Sequence, residues 1–380
     1  MRIVWVPHCP SESLNWEGSR PYHLIRKLAA QHEIHWINWE HCRTPRSLLS
    51  LGHSRSRVTK SGVEHTVSLA PLYNRFFRVN YPYRWQIAHN QVLFRRHIRS
   101  AVESVNPDVL VYSDSFHVTG FPPFDHHLPV VFDYVDKGRH WKTYANHSTR
   151  VVAVSEKLCR EVGQHKPAEL IPNGVDVARY RAVSRNEAKQ RLGFADKHVI
   201  SLIGLTLSRR LYFLDAIAGL PIDRRNLVIL VVGAGDVLPE IRAKAAAEGL
   251  NLIAPGFVPH AEIHWYFAAS DVGLYPCDDI PYFNEAAPLK VMEYTAARVP
   301  VVSSPVAMFR DWPNVLSVPP SAECFRDAIS KALVTQYTFP NLSELDWEGL
   351  AQRFSAVLDR ARRGKARVYP FVEDSVTSLG

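Results

Sequence analysis

Residues 271–304 read DVGLYPCDDIPYFNEAAPLKVMEYTAARVPVVSS. The stretch opens on a short apolar run ending at Pro276, crosses a polar loop, enters a helical pattern at Pro288 and closes on the β-branched run VPVVSS. Strand, helix and strand in that order imply a right-handed crossover between parallel strands of one sheet. Proline suits the first position of a helix, whose free amides then point back toward the preceding loop. A helix start of this kind attracts phosphate. Lys290 falls in the first turn and Glu293 three residues later, so both project from one face near the same end. The cation can meet a phosphate and the carboxylate can accept from hydroxyls such as those of a ribose. Glu285, eight residues before Glu293, is placed to reach a sugar carried on that phosphate. The plainer alternative is that Glu293 complements the helix dipole and Lys290 is solvated.

The same alternation runs outward in both directions. HVISLIG, NLVILVVG and NLIAPG read as strands before this stretch, with DAIAGL, VLPEIRAKAAAEG and AEIHWYFAAS as helices between them. Nearer the N-terminus RIVWV, EIHWIN, PDVLVYS, LPVVFDYV and RVVAVS repeat the pattern, the helical PYHLIRKLAAQ lying between the first two. Strands separated by helix-length segments give an α/β chain with parallel, doubly wound sheets. With 380 residues, two such domains are expected. The boundaries read as 1–172, 173–345 and a C-terminal helix and tail over 346–380, with the Pro-Asn-Gly turn of IPNGVDVARY as linker. In the last segment Leu350, Phe354, Val357, Leu358 and Ala361 form one apolar stripe, expected to pack back across the domain joint.

Composition removes several classes. The chain is 46% hydrophobic and 22% charged, and no apolar run reaches the roughly 18 residues of a spanning helix. MRIVWVPHCP enters a strand pattern directly, without the apolar region and cleavage site of an export signal. Cys9, Cys42, Cys159, Cys277 and Cys324 form an odd set without a C-x-x-C pair, which fits neither a disulfide framework nor a zinc site. A cytoplasmic location is therefore expected. None of the 18 histidines shows metal-ligand spacing, so no metal is expected. Gly233 to Asp236 read GAGD after a strand; the third glycine and downstream acid of a dinucleotide fingerprint are missing, which disfavours a NAD(P)-dependent oxidoreductase.

GFVPHAEIHWYFAASDVGLYP followed by EAAPLKVMEYTAARVPVVSS resembles the donor-binding half of nucleotide-sugar glycosyltransferases of the GT-B fold, in the group 1 (GT4-like) clan. NWEGSRPYHLIRKLAAQHEIHWIN is similar to the start of the teichuronic-acid-type enzymes, and PLKVMEY to the core of the xanthan-type glucuronosyltransferases. The resemblance implies two Rossmann-like domains facing a cleft, with donor nucleotide on the second and acceptor on the first. It implies a cell-surface polysaccharide pathway, a nucleoside diphosphate-sugar as donor substrate and a glycan or lipid-linked acceptor. Lys290 would contact the donor diphosphate and Glu293 the ribose. Glu285 matches the first glutamate of the clan's paired motif. Arg210, with Arg209 beside it in GLTLSRRLYF, sits where relatives place a basic phosphate ligand. Donor base choice falls on loops near Gly256 and Tyr275.

Catalytic assignments remain divided. Asp133 and Asp136 end the strand VVFDYVDKGRHW, where open α/β sheets bring reactive groups to ligands. Asp136 occupies the place of the xanthan-type catalytic base, which would imply direct displacement with inversion. Either aspartate could instead cap the following helix. The paired glutamates point toward retaining enzymes, for which His117 is a counterpart near the sugar. His8, Gly18 and Arg20 follow the first strand and are candidates to line the acceptor side, a plain helix-capping loop being the alternative. From Arg43 to Arg99 eleven basic residues face the single acid Glu64, with Phe76, Phe77, Tyr81, Tyr83 and Trp85 among Arg75, Arg78 and Arg84. This mixture suits an anionic membrane surface at the inner face of the plasma membrane, and a solvated loop is the alternative. No nucleic-acid module accompanies the charges. A GT-B protein that kept the fold and binds glycans or partners without catalysis is the competing functional class.

Overall fold

The computed structural model describes residues 1–10, 16–42, 46–70, 83–113, 127–135, 141–204, 211–235, 237–278, 281–285 and 287–364. The chain divides into two compact units: Met1–Ile171 joined by the chain from Ala351 onward, and Pro172–Leu350.

Unit 1 is built on an eight-stranded sheet. Its strands are β1 (Arg2–Val6), β2 (Glu33–His41), β3 (Ser54–Thr59), β4 (Gly62–Leu69), β5 (Val109–Ser113), β6 (Val130–Tyr134), β7 (Arg150–Ala153) and β8 (Ala168–Leu170). They lie in the order β3-β4-β2-β1-β5-β6-β7-β8, all neighbours parallel except the β3–β4 hairpin. That hairpin was not read from the sequence. It lies inside the basic stretch, with Arg57 directly opposite Glu64 in the ladder and ion-paired to it at 2.7 Å. A 23-residue helix, Tyr83–Val105, follows in the same stretch. The C-terminal helix, Trp347–Arg363, buries Leu350, Phe354, Val357, Leu358 and Ala361. Within unit 1, Phe354 stacks on Trp5 of β1 with ring centroids 5.1 Å apart, and Ser355 Oγ meets His32 Nε2 at 2.8 Å.

Unit 2 carries six parallel strands: β9 (His198–Ile203), β10 (Leu227–Val232), β11 (Leu252–Gly256), β12 (Val272–Tyr275), β13 (Val301–Ser303) and β14 (Val315–Ser317). Their order is β11-β10-β9-β12-β13-β14, the 3-2-1-4-5-6 sequence of a doubly wound sheet. Burial on both faces explains the continuous apolar run LVILVV in β10. Val228, Leu230 and Val232 pack with Phe267, Met292 and Tyr294 on one side, and Leu227, Ile229 and Val231 with Phe213, Phe325 and Ile329 on the other. Strand side chains alternate between faces, so neither face can be polar when helices cover both. No helix among the described residues is long and apolar enough to cross a membrane, and no group of three metal-ligating side chains occurs among them.

Candidate donor site at the switch point of unit 2

In a sheet of this order, strand connections turn in opposite directions from β9 and β12, which opens a crevice outside their carboxyl ends. Of the sequence-predicted residues of unit 2, Lys290 and Glu293 meet there, beside the end of β9. Helix Leu289–Ala296 begins one residue after the expected start: Pro288 is its N-cap and makes no side-chain cap hydrogen bond to the first-turn amides. The helix is fixed by Tyr294, whose hydroxyl donates to the carbonyl of Ser201, accepts from the amide of Ile203 and lies 2.9 Å from Ser201 Oγ. Its ring occupies the space over Gly273 of β12, where a Cβ would come within 2.5 Å of it. The loop before the helix is held by Asn173 of the Pro-Asn-Gly turn, whose Nδ2 donates to the carbonyl of Ala287 at 2.7 Å.

Lys290 and Glu293 are thereby brought together, with Nζ and Oε2 2.9 Å apart. The aliphatic part of Lys290 lies across Gly204 at the end of β9, where a Cβ would be 3.3 Å from its Cε. Its ammonium sits 5.7 Å above the Phe267 ring, a cation–π distance. Gly204 packs in turn on Gly233 at the end of β10: a Cβ on Gly233 would fall 2.2 Å from the Gly204 carbonyl oxygen. Both glycines have positive φ, +133° and +130°, so two adjacent strand ends are kept free of side chains beneath the lysine.

Glu293 is 6% exposed, and its Oε1 accepts from the Tyr180 hydroxyl at 2.6 Å. Burial alone would push its carboxyl up; the Lys290 ammonium, the hydrogen bonds from Tyr180 and Lys290, and nearby His260 outweigh this and hold it below the ordinary glutamate range. Burial, and then the adjacent Glu293 charge, drive the Tyr180 hydroxyl well above its own usual range. The pair is thus a carboxylate and a protonated phenol at neutral pH. Glu285 is 5% exposed and follows the short helix Pro281–Asn284. Tyr275 ends β12 half-buried, its carbonyl accepting from the amide of Ser304. Asp136, His117, Arg209 and Arg210 lie outside the described residues, as do the side chains of the basic and aromatic run 75–85.

Unit 1 handles its candidates differently. Gly18 closes a turn, and Ser19 caps helix Arg20–Leu28, its Oγ accepting from the amide of Tyr22. Arg20, expected on a ligand-facing surface, is 1% exposed and points into the unit, where its Nε lies 3.0 Å from Asp133 Oδ1. Asp133 therefore neither caps a helix nor faces solvent. It also accepts from Ser113 Oγ at 3.4 Å, and Ser113 Oγ accepts from Trp5 Nε1 at 3.2 Å. Burial pushes the Asp133 carboxyl up, while Arg20 and the hydrogen bonds pull it back. His8, beyond the end of β1, has a buried Nδ1 without a hydrogen-bond partner among the described residues. Burial and the Arg20 charge lower its pKa to about 4, so the ring is neutral at physiological pH.

Comparison with known proteins bears on the fold and the family. Residues 199–334 match the family Glycosyl transferases group 1. Over 239 residues the chain is 26% identical to a protein of Bacillus subtilis (strain 168) named as the teichuronic acid biosynthesis glycosyltransferase TuaC; the match covers 60% of this chain and 58% of that one. Among solved structures, sucrose-phosphate synthase from Thermosynechococcus elongatus superposes with a TM-score of 0.69 at 15% identity, covering 95% of this chain and 98% of the other. Anabaena HepE in complex with UDP gives 0.61 at 16% identity, over 95% and 100%. WaaG, a glycosyltransferase involved in lipopolysaccharide biosynthesis, gives 0.60 at 17% identity, over 95% and 98%. The fold is GT-B. The match to the group 1 family lies wholly within the second unit.

Proposed function

We propose that the protein is a glycosyltransferase that moves a sugar from a nucleoside diphosphate-sugar to a glycan or lipid-linked acceptor in cell-surface polysaccharide synthesis. The observation that carries this reading is the Lys290–Glu293 pair at the switch point of unit 2, set over two side-chain-free strand ends. Lys290 and the uncapped helix start would take the diphosphate, since an ammonium and oriented amides complement its charge. Glu293 would accept from the ribose hydroxyls. Glu285 would lie near the transferred sugar, with Tyr275 beside the nucleotide and Arg209 or Arg210 as a further phosphate ligand. Asp136 is the proposed base. It would take the proton of the acceptor hydroxyl as that oxygen attacks the anomeric carbon, the nucleoside diphosphate leaving with the bond electrons. Asp133 is poorly suited to the same task because its carboxylate is buried against Arg20.

Several similarities support the class of donor and acceptor. HepE has been crystallised with UDP, with UDP and glucose and with UDP-glucose, while WaaG and TuaC are named for lipopolysaccharide and teichuronic acid biosynthesis respectively. Attachment to the inner membrane face is proposed through the basic stretch of unit 1. There Leu49 and Val58 are more than four-fifths exposed and Arg55 and Arg57 largely so. A lipid-linked acceptor would be met at that surface.

The test is release of nucleoside diphosphate from UDP-, GDP-, ADP- and dTDP-sugars incubated with the protein and a bacterial lipid extract. One donor should be consumed in an acceptor-dependent way, and Lys290→Ala should slow this by about a hundredfold or more, the usual cost of losing a charge-stabilising contact. Full turnover in folded Lys290→Ala would remove the proposed donor site. Tight nucleotide binding with no transfer to any acceptor would favour the noncatalytic alternative.

A further inference from the structure

Tyr180 stands out because packing alone does not call for its hydroxyl. The residue is 3% exposed on helix Val177–Arg181, its ring set edge-on to Phe267 with centroids 5.3 Å apart. Phe267 packs at 4.7 Å on Tyr294, the residue that pins helix Leu289–Ala296 to β9. A phenylalanine would make the same ring contacts. The hydroxyl instead reaches Glu293 Oε1 at 2.6 Å, the length of a charge-assisted O–H···O⁻ bond. The other oxygen, Oε2, faces the Lys290 ammonium at 2.9 Å and has no further protein partner among the described residues.

The helix that presents Tyr180 is itself anchored. Asp176 caps it by accepting from the amide of Arg179, and the Arg179 guanidinium donates to His260 Nδ1 at 3.1 Å.

We propose that Tyr180 is a positioning residue of the donor site: by occupying Oε1 it holds the Glu293 carboxylate so that Oε2 is presented to a ribose diol. The proposal rests on the reading of Glu293 as the ribose acceptor. Without the hydroxyl, the carboxylate is free to turn both oxygens onto Lys290. The ribose contact is then lost, and part of the ammonium charge is withdrawn from the diphosphate.

The experiment compares calorimetric affinities of the full chain for UDP, ADP and GDP with those for their 2′,3′-dideoxy counterparts. Wild type should prefer one ribonucleotide over its dideoxy form. Tyr180→Phe should lose about tenfold or more of that preference, as expected when a hydrogen bond to a charged group is no longer made, and should melt close to wild type. Tyr180→Met, flexible enough to refill the space, gives the same readout should the phenylalanine variant not fold. Ile263→Ala, which thins the same core without touching the hydroxyl, should melt lower and keep the preference. If wild type and Glu293→Gln differ in ribose preference while Tyr180→Phe matches wild type, Tyr180 has no positioning role and the donor site stands. If wild type shows no preference for the ribose in any pair, the assignment of Glu293 fails, and the role of Tyr180 with it.

Discussion

Three glycines of positive φ in unit 2 allow the close packing under the proposed donor site to be separated from backbone strain. Gly193 closes a helix at φ +77° with nothing within 4 Å of a built Cβ. Alanine there should cost about 1 kcal/mol for left-handed backbone alone. Gly204, at φ +133°, would place a Cβ 3.3 Å from the flexible end of Lys290, which can move a few tenths of an ångström. Its alanine variant should cost about 1–3 kcal/mol in strain and also displace Lys290, weakening nucleotide binding. Gly233, at φ +130°, would drive a Cβ to 2.2 Å from the carbonyl oxygen of Gly204, and backbone cannot swing aside. That substitution must separate the ends of β9 and β10 and should cost more than about 4 kcal/mol, or prevent folding. Urea unfolding followed by circular dichroism, with nucleotide affinity measured in parallel, orders the three. Equal losses for Gly233→Ala and Gly193→Ala would refute the packing argument. Unchanged nucleotide affinity in folded Gly204→Ala would refute the link between Gly204 and Lys290.

Unit 1 supplies two further expectations. Arg20→Met strands the buried Asp133 carboxyl and should destabilise by about 3–5 kcal/mol, much of it recovered in Arg20→Met/Asp133→Leu; a single-variant loss below about 1 kcal/mol in chemical unfolding would contradict the pairing. His65 lies between His35 Nδ1 and Ser56 Oγ, at 3.0 and 2.9 Å, and its pKa is lowered to about 4 by burial and then by His35 and His97. Its folded value lies below the roughly 6.5 of an unfolded chain, so this contribution is complete above that pH and falls away toward pH 4, by up to about 3 kcal/mol. Stability measured across that window should show the acid-side slope in wild type and a shallower one in His65→Leu; equal slopes would exclude His65 as its source.

The sequence exposed the alternation of strands and helices because hydrophobic period survives in local order. β10 is legible as LVILVV, and Lys290 and Glu293 as two residues on one helical face. What escaped reading depends on partners distant in the chain. Tyr180, in the segment after the Pro-Asn-Gly turn, drew no reading, since nothing local announces a carboxylate 113 positions away. Arg20 and Asp133, the same distance apart, each carried a surface-like or reactive look that mutual neutralisation inside the unit removed. The β3–β4 hairpin hid because SRSRVT carries a single apolar residue, the exposed Val58, and its register rests on cross-strand pairs such as Arg57 with Glu64. Its connection is Lys60-Ser61 rather than Asn-Gly, and leads into Gly62, the first residue of β4, at φ +131° and too close to the Ile34 carbonyl oxygen for any Cβ.

The central claim is that unit 2 holds a nucleoside diphosphate through the Lys290–Glu293 pair. Calorimetric titration of UDP, GDP, ADP and dTDP into wild type, Lys290→Ala and Lys331→Ala tests it most directly, because Lys331 is an exposed lysine of the same unit away from the site. The account predicts saturable binding of at least one diphosphate by wild type and Lys331→Ala, and a loss of about tenfold or more in Lys290→Ala. Equal affinity in Lys290→Ala, or no binding of any diphosphate by wild type, would contradict it.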